Sequence, residues 1–210
     1  MRKTMRAISF LLVAVLILAL SACGAPELDE VKDTFVALIE ASYEINDILF
    51  GEGLAVYERG GDFAAKYYIY EDLSESYDFY EIVQSESGYL TADSIKEAAS
   101  KVYSDDYLEG IYTMAFDGYS DGESVTTARY LEADGYFLRY TYGEKDPFDI
   151  LEGKQRRYLF DTMKIVRPSS ADYVNVEIES YLLGNEDEIL TVTLRFTLEK
   201  GEWRLDSPTY

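Results

Sequence analysis

The sequence has no histidine and only one cysteine, Cys23, among its 210 residues. Histidine is the most common general base near neutral pH and a frequent zinc ligand, so its absence excludes serine–histidine and cysteine–histidine hydrolases. One cysteine cannot form a disulfide within the chain or a thiolate metal site. We therefore expect no metal ion and no cofactor, and a fold that depends on packing and backbone hydrogen bonds.

Positive charge is also scarce in this chain. It has 19 Lys and Arg against 40 Asp and Glu, which gives a net charge of −21 at pH 7. Such an acidic protein repels nucleic acid, and we exclude nucleic acid as a partner. The charge favours encounters with basic partners, but it also keeps a protein soluble, so by itself it identifies no function.

The first 22 residues predict a cleavable export signal. A positively charged flank over residues 1–6 precedes an apolar run over 8–20. That run is too short for a dedicated membrane span. The N-terminus is therefore typical of a bacterial secretory signal.

Leu20, Ser21, Ala22 and Cys23 form a lipobox at the end of this signal. The small residues at Ser21 and Ala22 allow entry into a lipoprotein signal peptidase, and the Cys23 thiol takes up diacylglycerol before cleavage. An ordinary secretory signal with an incidental cysteine is the alternative. The lipobox predicts a protein that is anchored to the membrane through lipidated Cys23.

The predicted organisation is a signal peptide over 1–22, a lipidated tether over 23–27 and a single domain over 28–210. Acyl chains on Cys23, such as palmitate, hold this domain on the extracytoplasmic face of the cell membrane. The sequence has no internal repeat and no low-complexity segment that would suggest a further division.

Apolar periodicity predicts three helices in the first part of the domain. A long amphipathic helix is expected over 28–50, with acidic residues in its first turn. A second helix begins at Thr91 or Ser94, and a short one over 105–112 is capped by Ser104.

Alternating residues predict strands, first as a hairpin and then as a long antiparallel meander. Asp134-Gly135 favours a type I′ turn that places Leu131 opposite Leu138, Tyr130 opposite Arg139 and Arg129 opposite Tyr140. The hairpin is expected over 66–70 and 77–83, and the meander over 125–133, 136–142, 157–167, 173–182, 188–199 and 202–206. The fold class is α+β: a long N-terminal helix and short helices packed on a curved antiparallel sheet, as in a cystatin-like cone.

Two groups of residues are candidates for binding. Tyr136, Tyr140 and Tyr142 lie on one strand, where their rings can stack on a small ligand or glycan in the concave sheet. Twenty tyrosines also suit the half-buried positions of an ordinary sheet. Binding by this strand is therefore one of two interpretations.

Asp117, Asp121 and Glu123 form the second candidate group, in a segment that matches the first half of a calcium loop. Tyr119 and Ala128 stand where oxygen ligands are needed, so an ordinary acidic turn is favoured over a calcium site. Acidic loops of this kind can also block a polar cleft on a partner protein. Four segments have this composition: 71–78, 117–123, 144–149 and 185–188.

One family resemblance adds to these observations. The stretch Ser94-Ile95-Lys96-Glu97 through Val102-Tyr103-Ser104, with tyrosine-rich strands before it and a long meander ending in Trp203-Arg204-Leu205, resembles the IseA family. These exported proteins inhibit peptidoglycan DL-endopeptidases by plugging the active-site cleft. The resemblance implies a non-catalytic domain that binds a cell-wall hydrolase. The lipobox is a departure from the family, because it would hold the inhibitor at the membrane.

Two alternatives stay open beside an inhibitor. The domain can capture a small ligand or glycan in its sheet, or it can be a hydrolase that uses two carboxylates, since glycoside cleavage needs such a pair. Acidic residues are so abundant here that the sequence does not single out a catalytic pair. We expect a non-catalytic binding protein.

Overall fold

A computed structural model describes residues 24–57, 64–67, 77–120, 125–126, 128–133, 135–140, 148–151 and 154–210. It has the expected α+β class, with a long N-terminal helix, short helices and antiparallel sheets. The helices are α1 (Leu28–Phe50), α2 (Ala92–Ser100) and α3 (Asp105–Tyr112), followed by a π-helical turn (Thr113–Asp117). The strands are β1 (Ala64–Tyr67), β2 (Tyr77–Glu81), β3 (Tyr119–Ser120), β4 (Val125–Thr126), β5 (Tyr130–Ala133), β6 (Tyr136–Tyr140), β7 (Arg156–Val166), β8 (Tyr173–Leu182), β9 (Asn185–Glu199) and β10 (Glu202–Leu205).

Helix α1 has the predicted bounds, and its ends have clear physical causes. Glu27 and Glu30 form a capping box that pairs backbone N–H groups of the first turn. Gly51 follows the last helical residue, and its N–H donates to the Asp47 carbonyl at 3.0 Å. The buried stripe on one side of α1 includes Val31, Phe35, Leu38, Ile45 and Leu49, so the helix is amphipathic as predicted.

Side-chain caps also start the two short helices. The Thr91 hydroxyl accepts from the Ser94 N–H at 3.1 Å, so Thr91, the first of the two predicted positions, is the cap of α2. Ser104 accepts from the Tyr107 N–H at 3.1 Å and begins α3 at the predicted residue. Among the described residues, no helix combines the length and apolar character required to cross a bilayer.

The strands form two four-stranded antiparallel sheets, in the orders β1-β2-β6-β5 and β10-β9-β8-β7, together with the short pair β3-β4. The single meander predicted from the sequence is therefore wrong. Strand β6 pairs with β2, with Phe79 opposite Tyr140, and β7 starts a separate sheet. The segment between β6 and β7 is too long for a hairpin turn, and it returns to α1, where the Leu151 N–H donates to the Phe50 carbonyl at 3.1 Å.

Two hairpin turns in these sheets test the predicted loops, and each has a glycine at positive φ. Gly135 has φ 84°, and the β5–β6 register is the predicted one, with Tyr130 opposite Arg139 and Leu131 opposite Leu138. Gly184 has φ 85° and allows a tight turn between β8 and β9. Residues 185–188, expected as a loop, therefore already belong to β9.

One continuous cluster of buried residues joins α1 to both large sheets. At its centre the Phe35 ring stacks on Phe196, with centroids 3.8 Å apart, and meets the edge of Trp203 at 5.4 Å. A smaller cluster of Phe79, Leu138 and Tyr140 lies on β2 and β6.

An arginine clamp, formed by Arg129 and Arg139, holds the loop after α1. Arg129 is fully buried and donates to the Gly51 carbonyl and, at 3.2 Å, to the Phe148 carbonyl. Arg139 donates to the Glu52 carbonyl. Arg129 lies opposite Tyr140 as predicted, since the Tyr140 N–H donates to the Arg129 carbonyl at 2.8 Å, and the guanidinium lies 5.8 Å from the ring centroids of Tyr130 and Phe148.

Candidate functional site

A cleft of about 360 Å³ opens between the second half of α1, the loop after it, the start of β7 and the last residues of the sequence. Residues three and four apart share one flank of a helix, which is why α1 contributes several side chains to one wall. The lining residues are Tyr43, Glu44, Asn46, Asp47, Glu52, Leu151, Gln155, Arg156, Arg157, Thr209 and Tyr210.

Asn46 and Thr209 of the lining belong to a buried hydrogen-bond network with Ser42 and Tyr103, which lie beneath the cleft. We call these four residues the floor of the cleft. The Thr209 hydroxyl lies 2.6 Å from the Ser42 hydroxyl, accepts from the Asn46 amide at 2.8 Å and lies 3.0 Å from the Tyr103 hydroxyl. Tyr103 donates to the Asn46 carbonyl oxygen at 2.6 Å. Satisfied buried networks are rigid, so the floor fixes α1 against the C-terminal strand region.

Further tyrosines surround this floor. The rings of Tyr103 and Tyr107 stack with centroids 4.8 Å apart. Burial raises the pKa of Tyr103 to about 12, and it also raises the pKa of Tyr107 and of Tyr158. These hydroxyls are therefore neutral at physiological pH and act as hydrogen-bonding groups.

Arg156 and Arg157 give the cleft its positive side. The Arg157 guanidinium lies 4.3 Å from the Tyr43 ring centroid, and Arg156 donates to the Ser180 hydroxyl at 3.0 Å. Both side chains are half-buried. Within the part of the chain that the structure describes, neither has a carboxylate within 4.0 Å.

Three carboxylates line the same cleft. Glu44 accepts from the Tyr89 hydroxyl at 3.1 Å, and Asp47 accepts from the Glu52 N–H at 3.3 Å. None of Glu44, Asp47 and Glu52 forms an ion pair with a described cation. The cleft thus presents two guanidinium groups and three carboxylates that do not pair with one another.

Two of the three tyrosines predicted as a stacking platform are described, and they differ in exposure. Tyr136 is 43% exposed and borders a smaller hollow of about 260 Å³ that also includes Leu90 and Glu132. Tyr140 is only 3% exposed, because β6 is an inner strand and this ring packs 5.5 Å from Phe79. The prediction that Tyr140 contacts a ligand is wrong, and Tyr142 lies outside the described residues.

Of the three acidic residues predicted as a binding group, the structure describes only Asp117. Asp117 ends the π-helical turn and is exposed, while Asp121 and Glu123 lie outside the described residues. The described part of the chain contains no group of three or more potential metal ligands. The lipobox residues Leu20, Ser21, Ala22 and Cys23 also lie outside the described range.

The cleft was not predicted from the sequence, although one feature of the sequence pointed to it. Arg156-Arg157 is the only adjacent pair of basic residues after Gly24, and it stands in a strongly acidic chain. The other lining residues come from three distant segments, and their meeting depends on how α1 packs against β7. Comparison with protein-family models and with curated proteins finds no match to this chain.

Proposed function

We propose that this protein is a lipid-anchored extracytoplasmic lipoprotein whose domain binds a small molecule with an anionic group, without catalysing a reaction on it. The observation that carries the proposal is the pair Arg156 and Arg157 in a cleft, without carboxylate partners among the described residues. In a chain with a net charge of −21, arginines near acids would normally pair.

Arginine suits this role because its planar guanidinium can donate two parallel hydrogen bonds to a carboxylate or phosphate. Arg157 is held in place by the Tyr43 ring, and Arg156 by Ser180. The acidic surface does not prevent anion binding, since physiological salt screens charges over about 8 Å. At contact distance the two guanidiniums dominate.

A binding role is supported by the neutral hydroxyls around the floor and by the absence of histidine from the sequence. The carboxylates Glu44, Asp47 and Glu52 are what a hydrolase of the alternative kind would use. Turnover of a wall glycan by the purified protein would favour that hydrolase over the binding function.

The anchor is proposed from the lipobox. Helix α1 starts at Leu28, so the described domain begins close to Cys23. Replacement of Cys23 by alanine should move the protein from the membrane fraction to the soluble fraction. Retention of the Cys23→Ala variant in membranes would contradict the lipid anchor.

The test of ligand binding is calorimetric titration with succinate and with inorganic phosphate at physiological salt. We expect at least one anion to bind the full chain, and the double variant Arg156→Gln/Arg157→Gln to weaken binding by about tenfold or more. Arg167→Gln is the matched control, because Arg167 lies exposed just after the far end of β7. Equal weakening by the control, or no binding of these anions and of the dipeptides tested below, would contradict the proposal.

Inhibition of a peptidoglycan DL-endopeptidase is a second candidate, and one exposed acidic segment favours it. Glu186, Asp187 and Glu188 lie at the solvent-exposed start of β9, where they can approach a basic or polar cleft. Addition of the protein should lower the wall-lytic rate of a cysteine DL-endopeptidase, and reversal of these three charges should remove the effect. No association at low salt would eliminate this candidate.

A further inference from the structure

We infer that the ligand of the cleft is dipolar: a free amino acid or short peptide, with a carboxylate for Arg156 and Arg157 and an amine for the acidic wall. The inference rests on the proposed function and adds the second charge of the ligand. It starts from the observation that guanidinium groups and carboxylates line one cleft without pairing.

The carboxylates are unfavourable in a site for a simple anion. Like charges repel one another, and they do so more strongly near a protein surface than in bulk water. An anion held by Arg156 and Arg157 would meet this repulsion from Glu44, Asp47 and Glu52. A ligand whose amine faces the acids and whose carboxylate faces the arginines replaces repulsion by attraction at both ends.

Glu44 is the acid best prepared to receive an amine. Its Oε1 accepts from the Tyr89 hydroxyl at 3.1 Å, so the carboxylate has a defined orientation, and its second oxygen is not engaged by a described residue. Burial, together with the nearby Glu44 charge, raises the pKa of Tyr89, so this hydroxyl stays a donor.

The remaining lining suits the middle of a short peptide. Tyr43, Leu151 and Tyr210 supply apolar surface, and Gln155 supplies a side-chain amide that makes no hydrogen bond to a described residue. Ligand pockets of about 300 Å³ and above hold small organic molecules. The volume of about 360 Å³ therefore fits an amino acid or a short peptide.

End-blocked dipeptides test the inference. The full chain, purified in detergent, is titrated with alanyl-alanine, with its N-acetylated form and with its C-terminal amide. We expect the free dipeptide to bind and each blocked form to bind about tenfold more weakly, because each has lost one charged hydrogen-bonding end.

Variants assign the two ends. Glu44→Gln should weaken the free dipeptide about tenfold without weakening the acetylated form, which loses only a repulsion, and Arg156→Gln/Arg157→Gln should weaken both. Arg167→Gln should change neither. Circular dichroism of each variant checks that the fold is retained. If Glu44→Gln does not fold, Glu52→Gln tests the acidic wall in its place.

Each outcome separates this inference from the proposed function. Equal binding of free and acetylated dipeptide overturns the dipolar ligand and leaves anion binding intact. Binding of succinate or phosphate without binding of the free dipeptide does the same. Failure of all anions and dipeptides overturns both proposals.

Discussion

Arg129 and Arg139 occupy a different environment from Arg156 and Arg157, although both pairs lie close to the end of α1. The clamp arginines bind backbone carbonyls of residues 51 and 52, and Arg129 is completely buried. The cleft arginines are half-buried and face open space. One residue type therefore holds a loop in one region and is available to a ligand in the other. Burial and partner chemistry, and not residue type, therefore separate structural arginines from binding arginines.

Loss of the buried arginine should have the largest effect on stability. Arg129→Ala leaves the carbonyls of Gly51 and Phe148 without their donor and creates a cavity, so we expect a loss of about 3–4 kcal/mol in the free energy of unfolding. Urea denaturation measures this loss. If the Arg129→Ala variant is as stable as the unchanged chain, Arg129 does not stabilise the fold.

Alkaline pH should weaken the floor of the cleft. The pKa of Tyr103 is about 12 in the fold against 10.0 in the unfolded chain, so the stabilisation is complete below pH 10 and is lost as pH rises from 10 to 12. For this residue the loss is about 3 kcal/mol. Denaturation of the Tyr103→Phe variant across this range should show a smaller dependence on pH; an identical dependence would contradict the role of Tyr103.

The loop held by the clamp should not accept a side chain at Gly53. This residue has φ 75°, and an added Cβ would lie 2.6 Å from Arg129 Nη2 and 3.0 Å from the Tyr130 hydroxyl. We expect Gly53→Ala to cost about 2 kcal/mol. Gly135→Ala is the matched control, since φ is also positive there but nothing lies within 4 Å, and it should cost about 1 kcal/mol. Equal melting temperatures for the two variants would show that the clamp does not restrict the loop.

Substitution of the cleft arginines should have the smallest effect on stability. We expect Arg156→Gln/Arg157→Gln to lower the free energy of unfolding by about 1 kcal/mol, because it loses only the contacts with Ser180 and Tyr43. Thermal denaturation without ligand measures this. A loss as large as that of Arg129→Ala would assign these arginines to the fold and remove the distinction between the two pairs.

Local signals predicted the elements well. The bounds of α1 and α3 and the register of the β5–β6 hairpin follow from apolar period, capping residues and Asp134-Gly135, all of which act over a few residues. The pairing of β2 with β6 joins segments that are far apart in the chain, and no local pattern specifies it.

The wrong predictions at the candidate site have the same cause, because they depend on contacts between distant segments that no local pattern specifies. Tyr140 was expected to be open to ligand, but it is covered because Phe79 of β2 packs on it. The carbonyl groups that accept from the Arg129 guanidinium, those of Gly51 and Phe148, come from two other segments. The cleft needs residues from α1, β7 and the stretch around Thr209, so only packing in three dimensions brings its charges together.

Helix α1 carries residues of both the core and the cleft on one continuous helix. Phe35 belongs to the core, Ser42 and Asn46 to the floor of the cleft, and Tyr43 to its lining. Occupation of the cleft is therefore coupled to cooperative unfolding of the whole domain. A compound present at one hundred times its dissociation constant should add about 2.7 kcal/mol to the unfolding free energy. A thermal-shift screen of amino acids and peptides should find the natural compound without any assay of activity.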